Sequence, residues 1–497
     1  MLLWIVISGG LLSFIASMGI GSNDAANAFA TSVGSKALTL KQATVLAVIF
    51  ETAGSILMGS HVADTIRKGI ANYECFEDEP QLLMYGCMWV IFSVGIWLFI
   101  ASYFEMPVST THSCVGGMIG MTIAIVGSDC VIWYKELDTF PYIGGVGGIV
   151  LSWFISPIFS GIISAIIFGL NRKFVLRHNY NSNRLNFIYP ILVAATLTIN
   201  SFFIIYKGAK GLKLDKLPIE TVIGISFGIG ATGGIIIMPF VPKLRKIVEK
   251  KFNNNQITNT ISIELNEINN NQKNLNILSH GQLINVKNIH ENAEWFDPKI
   301  EEMFKYLQIF TAACDSFSHG ANDVANAIGP FAAIFLIYRE NGDISKKVNM
   351  EDDAYWILGM GGVGIALGLI IYGKKIINAI GTKLCKITAS RGTCIELGSA
   401  LVIITGSRLK IPLSTTHCQV GATVGVGLLE NKNCNINDIN DINGVNFYIL
   451  RKTAFGWIIT CVIVGLTSGL LSAQGVYGPS VSSIISCTNN TLSYNIN

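Results

Sequence analysis

The sequence predicts an all-α integral membrane protein with about twelve transmembrane segments in two inverted repeats, some of whose helices are broken or re-entrant. Of the 497 residues, 51% are hydrophobic and 13% are charged, against about 25% charged in a typical soluble domain. Apolar segments long enough to cross a bilayer recur along the chain, and two polar motifs each occur twice in the same order. The spans are expected to be helical because an open strand leaves backbone groups unpaired in hydrocarbon.

The spanning segments are assigned from their length and apolar content. We expect them at 2–20, 42–60, 82–104, 107–127, 142–169, 187–206, 221–241, 304–337, 354–373, 393–409, 411–429 and 447–474. Some are short or polar enough to be re-entrant or broken helices. The first segment continues directly into a polar motif, so we interpret it as a membrane helix and not as a cleaved signal peptide.

The chain divides into four regions by composition. We expect a membrane region at 1–241 that contains the first repeat (about 1–127) and connecting helices, a polar, partly disordered cytoplasmic loop at 242–303, a second membrane repeat at 304–475, and a short C-terminal tail at 476–497. The loop is rich in Asn and poor in apolar residues, a composition typical of disorder.

The basic residues predict the orientation. Cytoplasmic loops are enriched in Lys and Arg, and the loop at 242–303 opens with Lys243, Arg245, Lys246, Lys250 and Lys251. With this loop inside, both termini are extracellular, in a multi-pass protein that we expect in the plasma membrane. The lysines at 207–216 and the Arg67–Lys68 pair fall on the opposite side and argue against this orientation. Whether the sequon at Asn489 is glycosylated stays open.

The net charge and the cysteine pattern give no support for a nucleic-acid-binding protein, a disulfide-rich protein or a zinc protein. A net charge of +3 gives no reason to expect a nucleic-acid partner. The eleven cysteines form no CxxC pair and no Cys/His array, so we expect buried thiols rather than disulfides or zinc ligands.

The first duplicated motif is GSNDAANA at 21–28, which returns as GANDVANA at 320–327 with six of eight positions identical. A carboxylate at membrane depth is costly unless a partner or an ion compensates it, and hard oxygen ligands suit Na⁺. The predicted Na⁺ ligands are Asn23, Asp24, Asn27, Asn322, Asp323 and Asn326. Flanking glycines, Gly21 and Gly320, are expected to let the helix open. The alternative role for such residues is capping or interhelical hydrogen bonding.

The second duplicated motif starts a helix with proline: PVSTTHSCVGGMIG at 107–120 and PLSTTHCQVGATVG at 412–425. Free N–H groups and hydroxyls at a helix N-terminus form an anion site. Two such turns brought together would surround a tetrahedral oxyanion, and Asp24 and Asp323 could accept from its protonated oxygen. The predicted phosphate-binding hydroxyls belong to Ser109, Thr110, Thr111, Ser414, Thr415 and Thr416. The alternative is ordinary N-capping.

Some ionisable residues are not duplicated. Aligning 50–59 with 364–373 places Glu51 opposite Ile365, and Glu396 likewise stands opposite an apolar position. His319 and Asp315 precede the second copy of the first motif, where the first copy has apolar residues. Coupling and gating cannot be symmetric, so these unmatched groups, Asp315 included, are candidates for such roles, with Glu51, Glu396 and His319 assigned to them.

Two motifs that recur in one order at offsets of 299 and 305 residues indicate a duplicated unit. If the first copy begins outside and the second follows the cytoplasmic loop, the two units are inverted, as in secondary transporters. The paired motifs, FETAGSILMGSHVADTIRKGI (50–70) and DSFSHGANDVANAIGP (315–330) resemble the inorganic phosphate transporter (PiT) family, whose eukaryotic members are the type III sodium–phosphate cotransporters. The resemblance covers nearly the whole chain outside 242–303. Ser22 and Ala25 depart from the commonest motif and leave the oxygen ligands intact.

The resemblance implies symport of inorganic phosphate with Na⁺ through an inverted-repeat fold. It implies phosphate near the Ser-Thr-Thr hydroxyls, Na⁺ near the Asn and Asp residues, and functional roles at Asp24, Glu51, His319, Asp323 and Glu396. We therefore expect a secondary active transporter that works by alternating access, with phosphate, Na⁺ and the lipid bilayer as partners and no cofactor besides the co-transported ion. A homodimer is compatible with the sequence.

Other functions stay open at this point. Proton coupling is the main alternative because Glu51 or Glu396 could carry protons, and sulfate transport is disfavoured because sulfate has no proton to donate to an aspartate. The sequence contains neither a nucleophile–base pair nor a metal triad, so an enzyme is not expected. A receptor would need a folded domain outside the membrane, and a channel would not need two occluding repeats.

Overall fold

The computed structural model describes residues 2–138, 142–180, 184–206, 217–257, 290, 293–344, 355–380, 384–430 and 444–478. Its main helices are α1 Leu3–Ile20, α2 Ala30–Gly34, α3 Leu40–Gly69, α4 Pro80–Tyr103, α5 Thr110–Val126, α6 Gly145–Asn171, α7 Arg184–Ile205, α8 Ile219–Ile237, α9 Val241–Ile257, α10 Pro298–Arg339, α11 Tyr355–Ile380, α12 Ala389–Arg408, α13 Thr415–Leu428 and α14 Phe447–Tyr477. A two-stranded antiparallel hairpin joins β1 Lys135–Glu136 to β2 Ile143–Gly144. The predicted all-α membrane architecture is confirmed.

Each of the twelve predicted segments is helical, but they are not equally long or apolar. Nine helices in the described ranges are long and apolar enough to cross a membrane. The other three are α5 with 17 residues, α13 with 14, and α12, which carries Arg391, Glu396 and Arg408. The sequence predicts that some short or polar segments are re-entrant or broken without naming them, and the total of twelve spans stays a prediction.

The two copies of the first motif differ in backbone structure. The first copy interrupts its helix, with a π-helical turn at Gly21–Ala25 followed by short helices at Ala26–Ala28 and Ala30–Gly34. The second copy lies inside α10, which runs unbroken from Pro298 to Arg339. The expectation that glycine opens the helix at both copies is therefore wrong for the second.

The motif glycines instead allow close approach of two helices. A Cβ added to Gly21 would lie 1.8 Å from the backbone oxygen of Ile365, and one added to Gly320 would lie 2.2 Å from the backbone oxygen of Glu51. Ile365 and Glu51 are the two positions that the sequence alignment places opposite each other. The same contact thus occurs in both halves, as expected of a duplicated unit.

The second motif repeats this pattern. A Cβ on Gly116 in α5 would meet the backbone of Cys461 in α14, and a Cβ on Gly421 in α13 would meet the backbone of Pro157 in α6. Gly116 and Gly421 hold matching positions in the two copies. Backbone contact at matched small residues is how membrane helices pack when no hydrophobic force drives them together.

Apolar and polar side chains are distributed as in a protein embedded in lipid. Large apolar side chains such as Leu11, Phe154, Phe227 and Leu470 are exposed on the outer surface, while the motif carboxylates and hydroxyls are buried inside. A lipid bilayer solvates the exposed apolar surface, and the polar interior must satisfy its own hydrogen bonds. The prediction of a multi-pass membrane protein is confirmed.

Two cysteines form a disulfide, which corrects the expectation of thiols alone. Cys75 and Cys130 are bonded across 55 residues of sequence, next to the β-bridge between Ala71 and Val131 and the hydrogen bond from Asn72 N to the carbonyl of Cys130. The sequence carries no local signal for this pair because the fold alone brings the two segments together. Seven other cysteines in the described residues are free; Cys434 and Cys487 lie outside these residues.

The predicted polar loop at 242–303 is helical at both ends. Helix α9 continues to Ile257 and α10 begins at Pro298. The disorder expected in the Asn-rich part is therefore wrong for its first residues, 253–257, and the rest of that part lies outside the described residues. Arg177 pairs with Glu294 at 2.9 Å, and Lys251 pairs with Glu302 at 2.6 Å. The hydrogen bond from Arg177 holds the pKa of Glu294 below its usual range. Basic residues near the end of α6 and in α9 therefore lie on the face from which α10 starts.

Candidate functional site

The two proline-started turns meet inside the protein. Ser109 Oγ lies 2.9 Å from Ser414 Oγ. Each serine also caps its own helix, because Ser109 Oγ accepts from His112 N and Ser414 Oγ accepts from His417 N, both at 3.3 Å. Capping and pairing across the halves therefore occur together, and the two helix N-termini point at one region.

The motif aspartates bind the threonines of these turns. Asp24 accepts a hydrogen bond from the Thr110 hydroxyl at 2.9 Å and another from the Thr416 hydroxyl at 2.5 Å. Asp323 accepts one from the Thr415 hydroxyl. Asp24 thus joins a threonine from each half, so the site exists only when both copies of both motifs are assembled.

Two threonine hydroxyls also donate hydrogen bonds to backbone carbonyls of the opposite half, at matching positions of the two motifs. The Thr111 hydroxyl donates to the Leu413 carbonyl at 2.8 Å, and the Thr416 hydroxyl donates to the Val108 carbonyl at 3.3 Å. Leu413 and Val108 hold corresponding positions in the two motifs. All six predicted phosphate-binding residues are buried together with Asp24 and Asp323.

The asparagines of the second copy lie among these groups. Asn322 Nδ2 donates to Asp323 Oδ1 at 3.0 Å and to the Leu413 carbonyl at 2.8 Å. Asn326 Nδ2 donates to Thr110 Oγ1 at 3.0 Å and to Asp323 Oδ1 at 3.2 Å. The Asn326 Oδ1 atom accepts no hydrogen bond within the described part of the chain, which leaves this oxygen available to a ligand.

In the first copy, Asn23 contacts the segment before α5, as Asn322 contacts the segment before α13 through Leu413. Asn23 Oδ1 accepts from Val108 N at 3.0 Å, while Asn23 Nδ2 donates to Ser102 Oγ and to the Met106 carbonyl. Asn23 therefore anchors the segment that leads into α5, which is the interhelical role left open by the sequence. Asn27 is in a helical turn, and its side chain lies outside the described residues.

A buried line of ionisable groups connects Glu51 to the site. His319 Nδ1 lies 2.8 Å from Glu51 Oε2, and His319 Nε2 lies 2.9 Å from Asp323 Oδ2. Ser316 donates a further hydrogen bond to Glu51 at 3.2 Å. Ligand atoms of Asp24, His319 and Asp323 lie within 4.8 Å of one another, a spacing that could hold a cation. Two of the three predicted coupling residues are thus in contact with the motifs.

The third predicted coupling residue, Glu396, is held by a separate set of groups. Its carboxylate accepts hydrogen bonds from Thr31 at 2.7 Å, Thr311 at 2.7 Å and Gln308 at 3.0 Å. These partners come from α2 and α10, outside both motifs. Glu396 therefore links the interrupted first half to the continuous helix of the second half.

A small cavity of about 10 Å³ lies beside the motif centre, lined by Asp24, Asp315, His319, Ser399, Thr415 and Gln419 among others. A volume of this size holds about one water, so a phosphate fits only if the hydroxyls and carboxylates separate. Sequence reasoning missed Ser399 and Gln419. Gln419 could have been found, since it is a polar residue one helical turn after Thr415 inside the motif, whereas Ser399 carries no signal.

A helical membrane protein whose related halves enclose buried carboxylates, hydroxyls and helix N-termini is a membrane transporter in class. The profile of the phosphate transporter family matches residues 20–468. The chain belongs to the phosphate transporter family, as the motif resemblance predicts, and it is not an enzyme.

Relatives match over nearly their full length. The sodium-dependent phosphate transporter 1 of Rattus norvegicus is 28% identical, with 95% of each chain covered. A phosphate-repressible phosphate permease of Neurospora crassa is 28% identical, covering 96% of this chain and 98% of the relative. A solved structure of a sodium-dependent phosphate transporter superposes with a TM-score of 0.72 at 30% identity, covering 94% of this chain and 98% of the other.

Proposed function

We propose that the protein carries inorganic phosphate across the membrane together with Na⁺, by alternating access around a single site between its inverted halves. The observation that carries this proposal is the bonding of Asp24 to Thr110 and Thr416, one from each half. A substrate held at such a junction is released when the halves separate on one side. Sodium-dependent phosphate transport by the rat relative supports the proposed substrates.

Phosphate binds at the paired helix N-termini. The hydroxyls of Ser109, Thr110, Ser414 and Thr415 exchange their present partners for phosphate oxygens, so few hydrogen bonds are gained or lost in total. Neither proline-started motif contains Lys or Arg. A site of hydroxyls and N–H groups releases the anion more readily than a site with a fixed cation. A protonated phosphate oxygen donates a hydrogen bond to an aspartate. Sulfate has no such proton to donate, so this site binds phosphate in preference to sulfate.

Sodium binds as a co-substrate at the oxygen atoms of Asp24, Asp323 and the motif asparagines. Without a cation, Asp24 and Asp323 place two carboxylates beside an incoming anion, and like charges at this depth repel strongly. Each bound Na⁺ compensates one of these negative charges and so weakens the repulsion of the incoming anion. Phosphate affinity therefore depends on Na⁺ occupancy, which is the thermodynamic basis of coupling.

The contacts of His319 with Glu51 and Asp323 transmit occupancy of the site to α3, because Asp323 cannot bind both His319 and a cation with unchanged strength. The same line of titratable groups supports the second candidate, proton-coupled phosphate transport. Protons would then move along Glu51 and His319 in place of Na⁺.

Orientation follows from the charges and the disulfide. We infer that both termini are extracellular, that the face with the Arg177 and Lys251 ion pairs is cytoplasmic, and that the protein resides in the plasma membrane. The Cys75–Cys130 disulfide falls on the opposite, outer face in this orientation, in agreement with the oxidising environment that disulfides need. A homodimer stays a proposal without a specific contact to support it.

Uptake of ³²P-phosphate into proteoliposomes tests the function. With an inward Na⁺ gradient we expect saturable uptake that falls to background when choline replaces Na⁺ at constant pH. Asp24→Asn should match the choline condition, whereas Glu136→Gln, which alters an exposed carboxylate of the hairpin, should transport normally. Unchanged uptake in choline that follows an imposed pH gradient would replace Na⁺ by H⁺ as the coupled ion.

A further inference from the structure

Besides Asp24 and Thr415, the cavity beside the motifs is lined by polar groups that the proposed phosphate and Na⁺ contacts do not use. Asp315 and Gln419 are 1% and 4% exposed. Asp315 Oδ1 and both polar atoms of the Gln419 amide have no hydrogen-bond partner among the residues that the structure describes. Unpartnered buried polar atoms cost about 1–3 kcal/mol each, so three of them on one cavity indicate a ligand.

Three helices supply this set, and only one half contributes it. Asp315 lies one turn before His319 on α10, Gln419 lies one turn after Thr415 on α13, and Ser399 comes from α12. In the first half the positions that match Asp315 and Gln419 are Ala16 and Cys114. The set therefore has no counterpart across the repeat.

The groups around Asp315 compensate its charge only in part, through His319 and the Ser399 hydroxyl. Its ionisable neighbours are the carboxylates of Glu396 and Glu51 and the imidazole of His319. The two ring nitrogens of His319 already face Glu51 and Asp323 at 2.8 and 2.9 Å. A buried carboxylate in this position needs a bound cation or a proton of its own.

We propose that Asp315, Gln419 and Ser399 form a further site for Na⁺, separate from the one built by the duplicated Asn and Asp residues. A carboxylate, an amide oxygen and a hydroxyl make an all-oxygen set, which hard cations prefer. The cavity of about 10 Å³ admits a small ion and excludes a bulky hydrated one. The Gln419 amide nitrogen lies in the same cavity as Asp24 and Thr415, where a phosphate oxygen can accept from it.

The proposal of this site rests on the proposed function, since its cation is the co-transported one. It adds a Na⁺ site in one half only, which the duplicated motifs alone cannot provide. An ion bound by α10, α12 and α13 draws three helices of the second half together next to the phosphate position. Occupancy of the site therefore strengthens phosphate binding.

Equilibrium binding of ²²Na⁺ to the purified full-length protein in detergent tests the proposal without requiring transport. We compare wild type with Asp315→Asn and Gln419→Leu, and use Ser318→Ala as the matched control because the Ser318 hydroxyl donates only to the Cys314 carbonyl of its own helix. Both site variants should bind one Na⁺ fewer per protein, or require at least tenfold more Na⁺ for half-saturation. The Ser318 variant should bind as wild type.

Equal numbers of bound Na⁺ and equal affinities in wild type and both site variants would overturn the proposal and leave Asp315 as a protonated acid. If Asp315→Asn is not monodisperse, Gln419→Leu decides alone, since it changes no charge. Loss of a Na⁺ in Asp24→Asn but not in the Asp315 and Gln419 variants refutes this site and leaves the proposed function intact. No Na⁺ binding to wild type refutes both.

Discussion

Substitution of Gly320 by alanine tests the close backbone contact between helices α3 and α10. The added Cβ would lie 2.2 Å from the Glu51 carbonyl oxygen, a backbone atom that cannot rotate away. An ordinary carbon contact needs about 3.5 Å, so α3 and α10 must part by about 1.3 Å. The shift also increases the distance between Glu51 and His319, because these two residues lie on the two helices that must part.

The expected cost has two parts. Overpacking of a close contact costs about 1–3 kcal/mol. Parting the helices by this amount stretches the 2.8 Å contact between Glu51 and His319 beyond hydrogen-bonding range, at a further cost of about 1.5–3 kcal/mol for a charged pair. At roughly 1–2 °C per kcal/mol for a chain of this length, the melting temperature falls by about 3–12 °C.

Thermal unfolding in detergent and phosphate uptake are the assays, with Gly224→Ala as control. A Cβ on Gly224 in α8 meets no atom within 4 Å, so this variant should melt and transport as wild type. Gly21→Ala should also lower the melting temperature, because its Cβ meets the Ile365 carbonyl in the matching way, but by the overpacking cost alone, since Ile365 carries no ionisable group. If Gly320→Ala melts and transports as the control does, the helices do not approach as described.

Three more outcomes follow from the site. Asp24→Asn and Asp323→Asn should each reduce Na⁺-dependent uptake at least tenfold at unchanged surface expression, and normal transport by both would refute the ion-site assignment. Ser109→Ala combined with Ser414→Ala should raise the phosphate concentration for half-maximal uptake about tenfold, from the loss of roughly 1–2 kcal/mol of hydrogen bonding; an unchanged value would mean that the serines only cap. Cys130→Ser should abolish the mobility difference between reduced and non-reduced gels, and a wild type without this difference would contradict the disulfide.

Repeats and hydropathy in the sequence predicted part of the fold and part of the candidate site. Two duplicated motifs indicated that the Ser-Thr-Thr turns meet, and Ser109 and Ser414 lie 2.9 Å apart. The unmatched acid and histidine, Glu51 and His319, are in contact. Residues that break the membrane pattern need partners, and here the unmatched groups are partners of each other.

Other features depend on tertiary contacts with no local signature. The same eight-residue motif is interrupted in the first half and continuous in the second, because neighbouring helices decide the backbone conformation. Asn23 and Asn322 occupy matching positions and contact the matching segments before α5 and α13, yet Asn322 also donates to the adjacent Asp323. Cys75 and Cys130 pair through the ends of distant helices, which spacing alone cannot reveal.

The most direct test of the central claim is a cryo-EM structure determined with phosphate and Na⁺. A single site between the halves predicts tetrahedral density within hydrogen-bonding distance of the Ser109 and Ser414 hydroxyls, with Na⁺ density at Asp24 and Asp323. Phosphate density bound by residues of only one half, away from these four side chains, would contradict it.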